Sequence, residues 1–148
     1  MSIFVYSFRD SQVAITDPDA GPYSFQGEQG VSQFVVVMAN EHAEIIVTSD
    51  GAAVGSAKPG QVGAFHIVCN QQSNIYGYLL SAYNAKTARQ LNGDVSTFFG
   101  MAISVRDATT NRGHILSGVA VSKPPDLPRG MNAVDVTWIL PAANIVNM

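Results

Sequence analysis

Over most of its length the chain alternates apolar residues with small or polar ones, which is the two-residue period of a β-strand. Val13 and Ile15 alternate in this way, as do Tyr23 and Phe25, and the turn sequence DPDAGP at 17–22 lies between the two pairs. Proline and glycine interrupt strands at such turns, so this segment predicts a β-hairpin. Three further segments rich in β-branched and aromatic residues predict three more strands, over 31–40, 43–51 and 61–70.

The period of the pattern changes after the third of these segments. Ile75, Leu79 and Tyr83 are four residues apart, which places them on one face of an α-helix. The Ser73 hydroxyl can accept a hydrogen bond from a free backbone N–H of the first turn, and the later sequence LNGD supplies an Asn-Gly stop. The pattern therefore predicts one amphipathic helix over about residues 73–90.

Strand spacing returns after the predicted helix. Apolar residues alternate over 99–105, beginning with Phe99, and the turn DATTNRG leads into a second apolar segment at 114–122. These two segments predict another long hairpin. The last predicted strand covers 132–140, where Trp138 lies on the same face as the neighbouring alternate valines.

The order of these elements indicates the fold class. Many short strands with Gly- and Pro-containing turns and one helix predict a mainly β fold, an antiparallel β-sandwich or barrel with one flanking helix and a long projecting hairpin loop. The sequence contains no internal repeat, linker or low-complexity segment, so we expect a single domain over 1–148.

One predicted strand is apolar on both faces. Phe34, Val36 and Met38 point one way, and Val35 and Val37 point the other way. A chain of 148 residues with one helix cannot cover both faces of several such strands. Charged residues make up only 13% of the chain, against roughly 25% in an ordinary soluble domain. We therefore expect other copies of the chain to cover much of the surface.

Charge and cysteine content exclude several classes of protein. The formal net charge is −3 and the eight Lys and Arg residues are scattered, so no basic patch for gripping phosphates is expected. Cys69 is the only cysteine and alternates with Phe65 and Ile67, which predicts a small core residue and no intrachain disulfide. The N-terminal segment lacks the features of a signal peptide, and no apolar run is long enough to span a membrane, so we expect neither.

Candidate chemistry is sparse. His42, His66 and His114 are far apart in sequence, and none has a second ligand at metal spacing. The DPDAG turn lacks the distal Glu of a calcium loop, GAAVGSAK has the wrong glycine spacing for a phosphate loop, and no serine lies in a nucleophile elbow. The closest acidic pair, Glu41 and Glu44, shows no partner. We expect no catalytic residue, no metal site and no cofactor.

Two loops remain as candidates for a functional role. The loop TSDGAAVGSAKPGQVG at 48–63 contains four glycines and little bulk, and it is either a mobile hairpin tip or an arm that orders against another subunit. The loop SKPPDLPRG at 122–130 places prolines where they end a strand and fix an extended path. It is either a hairpin closure or an elbow that presents its charges to a neighbouring subunit. The elbow residues are Lys123, Pro124, Pro125, Asp126, Leu127, Pro128 and Arg129.

The order of segments resembles a known family. The succession of YSFRDSQVAITDP, a two-faced strand ending VVVMAN, SDGAAVGSAKPGQVGAFHIV, the helix SNIYGYLLSAYNAKT and KPPDLPRG before a Trp-containing strand is similar to tail tube proteins of contractile-tailed bacteriophages. The resemblance covers nearly the whole chain and includes no catalytic signature. It excludes 90–95 and the residues after Leu140, which match nothing recognisable.

The resemblance implies a β-sandwich that closes with five other copies into a six-membered ring. Such rings stack into a hollow tube inside a contractile sheath, with a baseplate and a tail terminator at the ends, and viral DNA passes through the lumen without specific binding. The implied location is the virion tail, assembled in the cytoplasm of a bacterial host. The ring-stacking arm implied by the resemblance consists of Ser49, Asp50, Gly51, Ala52, Ala53, Val54, Gly55, Ser56, Ala57 and Lys58.

Three alternatives remain open at this point. The inner tube of a contractile secretion or bacteriocin particle shares the implied fold and stacking and carries no DNA. A monomeric β-sandwich that binds carbohydrate predicts aromatic side chains exposed on one face, whereas the aromatic residues here alternate inward. An enzyme is the third alternative, and the sequence offers no residues for it.

Overall fold

The computed structural model describes residues 10–26, 30–39, 43–57 and 60–148. These residues form nine β-strands and one α-helix. The strands are β1 (Ser11–Asp17), β2 (Gly21–Gln26), β3 (Val31–Met38), β4 (Ala43–Val47), β5 (Ala53–Ala57), β6 (Gly63–Asn70), β7 (Met101–Asp107), β8 (Gly113–Val119) and β9 (Asp135–Asn147), and the helix is α1 (Asn74–Leu91).

Seven of the strands form one antiparallel sheet in the order β2-β1-β7-β8-β9-β6-β3. The sheet curls into a half-barrel. The curl brings the two edge strands near each other: the ring centroids of Phe25 on β2 and Phe34 on β3 are 6.5 Å apart. The two remaining strands, β4 and β5, pair only with each other. The predicted mainly β antiparallel fold with one flanking helix is therefore confirmed.

The core lies on the concave face of the curled sheet, beneath the helix. Alternate side chains of each strand point into it, and Phe65, Ile67 and Cys69 on β6 are fully buried. The predicted core position of Cys69 is thus confirmed. Trp138 of β9 lies against Tyr76 of the helix, with ring centroids 5.4 Å apart. Burial of large apolar side chains of this kind is the main favourable term that holds the helix on the sheet.

The helix begins and ends where its sequence signals predict. The Ser73 hydroxyl accepts a hydrogen bond from the backbone N–H of Tyr76 at 3.4 Å, as an N-cap does. Asn92 is the C-cap, and Gly93 follows with a φ of +81°, a left-handed conformation that glycine adopts without strain. Ile75, Leu79 and Ala82 are the buried apolar positions of its inner face.

Several predicted strand boundaries are wrong. The strands predicted over 43–51 and 114–122 end earlier, at Val47 and Val119, and the strand predicted over 132–140 begins at Asp135. The last strand does not end at Leu140 but continues through Pro141 to Asn147. The Pro141 carbonyl accepts a hydrogen bond from the Ala120 N–H, on the side of β9 where its pairing with β8 ends. The nitrogen of Pro141 faces the same side. Because no described strand pairs with β9 beyond this point on that side, the missing N–H of the proline costs no hydrogen bond between strands. Phe99 is also outside its predicted strand, because β7 begins at Met101.

The projecting loop of the prediction contains regular structure. Part of the segment 48–63 is strand β5, which pairs with β4 over its whole length, so the projection is a two-stranded hairpin. Its sequence, AVGSA, has few strand-forming residues, and pairing with β4 determines its conformation. The pairing leaves the hairpin separate from the seven-stranded sheet.

Candidate assembly surfaces

Polar groups that could form a reactive site are dispersed over the described part of the chain. Among these residues, no group of three or more His, Cys, Asp or Glu side chains could hold a metal ion. His114 Nδ1 lies 2.6 Å from the side-chain oxygen of Asn147, His66 is on a different strand, and His42 lies outside the described residues. The candidate functional features of the described chain are therefore its exposed surfaces, which could contact other molecules.

The polar side chains that line a depression near the start of the helix form hydrogen bonds with one another. The Ser32 hydroxyl donates to one carboxylate oxygen of Asp135 at 2.8 Å, and the Asn70 amide donates to the other at 3.3 Å. The Asn70 side-chain oxygen accepts from the Gln72 N–H at 3.0 Å. These polar side chains therefore join the ends of three strands to the helix start and are already paired.

The hairpin of β4 and β5, residues 43–57, is here called the arm hairpin. Its turn is ordered by Asp50, whose carboxylate accepts hydrogen bonds from the Thr48 hydroxyl and from the Ala52 N–H. These two hydrogen bonds hold the pKa of Asp50 below its usual value. Gly51 has a φ of +85°, which a turn of this kind requires and which glycine adopts without strain. The tip of the arm hairpin is thus a turn held by hydrogen bonds rather than an irregular loop.

The two faces of the arm hairpin differ in chemistry. The register places Ala43 opposite Ala57, Ile45 opposite Gly55 and Val47 opposite Ala53 on one face, here called the hairpin front. The opposite face, the hairpin back, carries Glu44, Ile46, Val54 and Ser56. Ile45 and Val47 on the front are 74% and 70% exposed, whereas Ile46 and Val54 on the back are 51% and 48% exposed. The front therefore projects away from the rest of the described chain and has no polar side chain.

A second apolar surface lies on the convex face of the sheet, opposite the core. Val35 of β3, His66 of β6 and Ile139 of β9 are neighbours across three strands, and the next row contains Val37, Ala64 and Pro141. Val35, Val37 and Ile139 are exposed, and His66 is half-buried. We call these two rows the outer apolar band. The prediction that β3 is apolar on both faces is correct, and only its concave face is covered within the described chain.

The same convex face is polar on its other half. Over β2, β1 and β7 this face carries small or uncharged side chains and one charged side chain, that of Arg106. The residues are Gln12, Ala14, Thr16, Ser24, Gln26, Ala102, Ser104 and Arg106. The side chains of this half are suited to contact with water. The convex face is thus divided into a polar half over β2, β1 and β7 and a half with exposed apolar side chains, which includes Ile115 of β8, opposite Ser104, and Val146 of β9 as well as the outer apolar band.

The elbow, residues 122–130, has no regular secondary structure. It leaves the sheet after Val119, where the Ala120 N–H bonds to the Pro141 carbonyl, and it returns at Val134, whose carbonyl accepts from the Gln71 N–H at 3.2 Å. These two points lie at the ends of the part of β9, Asp135–Leu140, that pairs with β6 on one side but with no described strand on the other. The elbow therefore connects the two ends of an open strand edge.

The charged side chains of the elbow remain exposed. Lys123, Asp126 and Arg129 are accessible to water, and none forms an ion pair within the described ranges of the chain. Pro124, Pro125 and Leu127 are half-buried, which anchors the segment between the charges. The backbone that carries the charges is thus held, while the charges themselves have no ion-pair partner among the residues that the structure describes.

The two predicted segments lie in separate parts of the structure. No hydrogen bond or ion pair between described residues joins the arm, Ser49–Ala57, to the elbow, and Lys58 of the predicted arm lies outside the described residues. The outer apolar band combines residues from three strands, and sequence analysis identified its β3 part alone. Alternation on β6 and β9 was visible in the sequence, but which strands are neighbours was not.

A smaller apolar cluster lies at the end of the helix. Val95, Phe98 and Phe99 border a shallow cleft of about 280 Å³ together with Gln90, and the two phenyl rings are 5.5 Å apart. The predicted inward alternation of aromatic residues therefore fails at Phe99, which is 60% exposed. Among the described residues, no helix is both long and apolar enough to cross a membrane.

The fold matches solved structures of the anti-feeding prophage. A chain of the anti-feeding prophage baseplate, solved by cryo-EM with six-fold symmetry, aligns over 100% of this chain and 97% of its own length, with 12% identity and a TM-score of 0.59. A chain of the tube-terminating cap of the same particle aligns over 100% and 93%, with 9% identity and a TM-score of 0.52. At these identities the matches establish a shared fold.

Sequence comparison identifies the family. No curated protein matches the chain. The family model described as "Bacteriophage PhiTE tail tube protein" matches residues 3–148, nearly the whole chain, so the resemblance noted from the sequence is confirmed. The chain belongs to the bacteriophage PhiTE tail tube protein family.

Proposed function

We propose that this protein builds the inner tube of a contractile phage tail from stacked six-membered rings, and that the tube is the conduit for viral DNA. The observation that carries the proposal is the pair of exposed apolar surfaces on one small chain, the outer apolar band and the hairpin front. Contiguous exposed apolar surface marks an interaction site in a soluble protein. Family membership supports a tube as the product of that interaction.

The ring-stacking role falls to the arm. Ser49–Ala57 is exposed along its whole length and lies in a hairpin outside the main sheet, so it can reach a neighbouring ring without disturbing the core. The elbow is a second contact, where Lys123, Asp126 and Arg129 meet a subunit in the same or the next ring. Charges in a fixed geometry provide register and specificity more than affinity.

Passage of DNA requires a lumen that does not bind it. The polar half of the convex face, with Gln12, Ser24 and Ser104 among its side chains, has one positive charge, Arg106. A surface of this composition with a net chain charge of −3 would let a polyanion slide past, because affinity for DNA comes mainly from contacts of Lys and Arg with phosphates. We propose that this half faces the lumen.

The remaining partners follow from the tube. A contractile sheath would surround it, and baseplate and terminator proteins would contact its two ends. The fold shared with baseplate and cap chains of the anti-feeding prophage supports end contacts between proteins of like architecture. Assembly would take place in the cytoplasm of the bacterial host, and the protein would have no enzymatic activity.

The inner tube of a contractile injection particle that carries no DNA is the second candidate. The observation in its favour is that the two matched structures both come from the anti-feeding prophage. Both candidates share ring formation and stacking. Neighbouring genes for a capsid and a terminase would identify the phage tail, and their absence would favour the injection particle.

Negative-stain microscopy of the purified full chain, combined with sedimentation over a range of concentrations, tests the proposal. We expect rings or tubes with six-fold end views, and an average mass that rises with concentration. The variant Ile139→Asp places a charge in the outer apolar band without touching the core, and we expect it to sediment as a smaller species. A wild-type chain that stays monomeric at high concentration would refute the tube.

A further inference from the structure

The hairpin front and the outer apolar band have matching properties. Each is a patch of β-sheet surface without a charged side chain, apart from any charge on His66, and each is uncovered within the described chain. The front combines two large residues, Ile45 and Val47, with alanine and glycine opposite them. The band combines Val35, Val37 and Ile139 with Ala64 and Pro141 between or beside them.

We propose that the hairpin front of one copy packs face to face on the outer apolar band of a second copy. The inference rests on the proposed function, because it requires that copies of the chain assemble. It assigns a face to the arm and a receiving surface to the neighbouring subunit, neither of which the arm's sequence defines.

The stability of the hairpin argues for an occupant. An isolated two-stranded hairpin is marginal in water, and a third layer or strand is needed to hold it. The arm hairpin has no third strand within the described chain, and its most exposed large apolar residues are those of its front. Packing that front on another sheet would supply the missing layer.

The shape and charge of the two surfaces argue for a second copy as the occupant. Two sheets pack at about 10 Å when small residues on one face receive large residues from the other. Ile45 and Val47 could enter the rows between Val35, Val37 and Ile139, and Gly55 and Ala53 leave room for the reverse. The front has no polar side chain and the band has one, His66, so packing the two faces together buries apolar surface with little desolvation of polar groups.

The contact has a geometric consequence. Front and band are different surfaces of one chain, so each copy would use its hairpin toward one neighbour and its band toward another. Such a head-to-tail contact closes into a ring or propagates as a filament, whereas a contact of like surfaces stops at a dimer. The proposed contact therefore suits a protein whose product is a ring or a tube.

Disulfide trapping between separately purified variants tests the contact. Ile45→Cys is mixed with Val35→Cys or with Ile139→Cys in the full chain, where the native Cys69 is fully buried. We expect a disulfide between unlike chains in at least one of these mixtures. Two matched mixtures are the controls. In one, Ile46→Cys on the hairpin back replaces Ile45→Cys, and in the other, Ser104→Cys on the polar half of the convex face replaces the band variant. Both mixtures should form far less of the disulfide between unlike chains.

Specific outcomes would overturn the inference. Trapping by Ile46→Cys or Ser104→Cys as efficient as by the test pairs would show that the contact is not face-specific. Preferred disulfides between two Ile45→Cys chains would show that hairpins meet each other. Tubes in the microscope without trapping would refute this contact and leave the proposed function intact, whereas a chain that never assembles would refute both.

A charge placed on one face of the hairpin gives a second, independent measurement. A Cβ added at Gly55 meets no heavy atom within 4 Å, so Gly55→Lys should fold normally and place an ammonium group on the front. Ser56→Lys places the same charge on the back, where it lies opposite Glu44 and creates no like-charge pair. We expect Gly55→Lys to raise the concentration needed for assembly by about tenfold or more, the effect of one uncompensated charge, and Ser56→Lys to leave it nearly unchanged. Equal effects of the two variants would contradict the proposal.

Discussion

Lys86 of the helix and Asp17 at the end of β1 form an ion pair that is almost closed to solvent, with side-chain exposures of 2% and 0%. The Asp17 carboxylate also accepts a hydrogen bond from the Ala20 N–H at 2.8 Å, and the second carboxylate of the turn, Asp19, lies 3.5 Å from the Lys86 ammonium. The ion pair therefore fixes the C-terminal part of the helix to the turn between β1 and β2.

Removing one partner of this pair should be costly. Lys86→Met leaves the Asp17 carboxylate buried without its counter-charge, and we expect a loss of about 3–5 kcal/mol in the free energy of unfolding. The double variant Lys86→Met, Asp17→Asn removes both charges and keeps an acceptor for the Ala20 N–H, so it should recover much of the loss. Urea unfolding of the three proteins measures this. A single variant as stable as the wild type would contradict the buried pair.

The neighbouring carboxylate should make stability depend on pH. Burial alone would raise the pKa of Asp19, but the hydrogen bond from Thr97 and the charges of Arg89 and Lys86 outweigh it and lower that pKa below 3.8. Because the folded pKa is the lower one, the stabilisation by Asp19 is present above the unfolded pKa and is lost as pH falls through the folded pKa.

The measurement is thermal unfolding of the wild type and of Asp19→Asn over a range of pH. We expect a difference in Tm at neutral pH that shrinks once the pH falls below about 4. A difference that grows on acidification would mean that the pKa of Asp19 is raised in the folded state rather than lowered.

The helix could be predicted from the sequence, but the ion pair that fixes it to the turn could not. The helix was predictable because its apolar stripe and both ends are local signals, from the Ser73 cap to the Asn-Gly stop. Lys86 continues the buried stripe of Ile75, Leu79 and Ala82, but its partner is 69 residues away. A lysine on an apolar stripe signals a buried partner, yet the sequence does not say which carboxylate it is.

The same limit applies to the candidate surfaces. The arm and the elbow could be located from the sequence, because glycines and prolines interrupt the strand pattern there. The outer apolar band could not, since it depends on β6 lying between β3 and β9, which are separated by about a hundred residues of chain. Strand β5 was missed for a related reason, because small residues such as Ala53 and Gly55 form a strand only when a partner holds them.

The thiol of Cys69 should be unreactive in the folded protein. Its side chain is fully buried on the core face of β6, so a thiol reagent can reach it only when the protein opens. We expect no labelling under native conditions and rapid labelling in urea. Ser104→Cys, on the exposed convex face, is the positive control and should label at once. Fast native labelling of Cys69 would mean that the two faces of β6 are assigned the wrong way round.

Removal of the arm should separate folding from stacking. Residues Ser49–Ala57 are all exposed, so replacing Ser49 to Lys58 by a short Gly-Ser turn should leave the core and the melting temperature nearly unchanged. Rings should still form, and tubes should not, because the arm would no longer reach the adjacent ring.

Microscopy and thermal melting of the arm variant decide between the readings. A variant that fails to fold would place the arm in the core, and normal tubes would reduce it to a surface loop. The variant Asp50→Ala is the milder test, since it removes the acceptor that orders the turn while keeping both strands, and it should weaken tubes more than it lowers stability.

The elbow offers the last prediction. If its prolines only close the connection between β8 and β9, replacing Pro124 and Pro125 by alanine should cost roughly 0.4–1 kcal/mol per site through the unfolded chain, and assembly should be normal. If the prolines hold Lys123, Asp126 and Arg129 in place for a neighbouring subunit, assembly should fail well before stability does. We expect the second result, because these charges are exposed and find no ion pair within the described chain.

Thermal melting beside polymerisation of the double alanine variant separates the two cases. The triple variant Lys123→Ala, Asp126→Ala, Arg129→Ala is the matched comparison, since removing exposed charges should change the free energy of unfolding by no more than about 0.5 kcal/mol. Loss of assembly in both variants would mean that the charges act and that the prolines position them. Loss in the proline variant alone would mean that the path of the elbow matters without its charges. A double alanine variant that melts slightly lower yet assembles normally would reduce the elbow to a turn, because a fixed charge geometry would then have no role in holding subunits together.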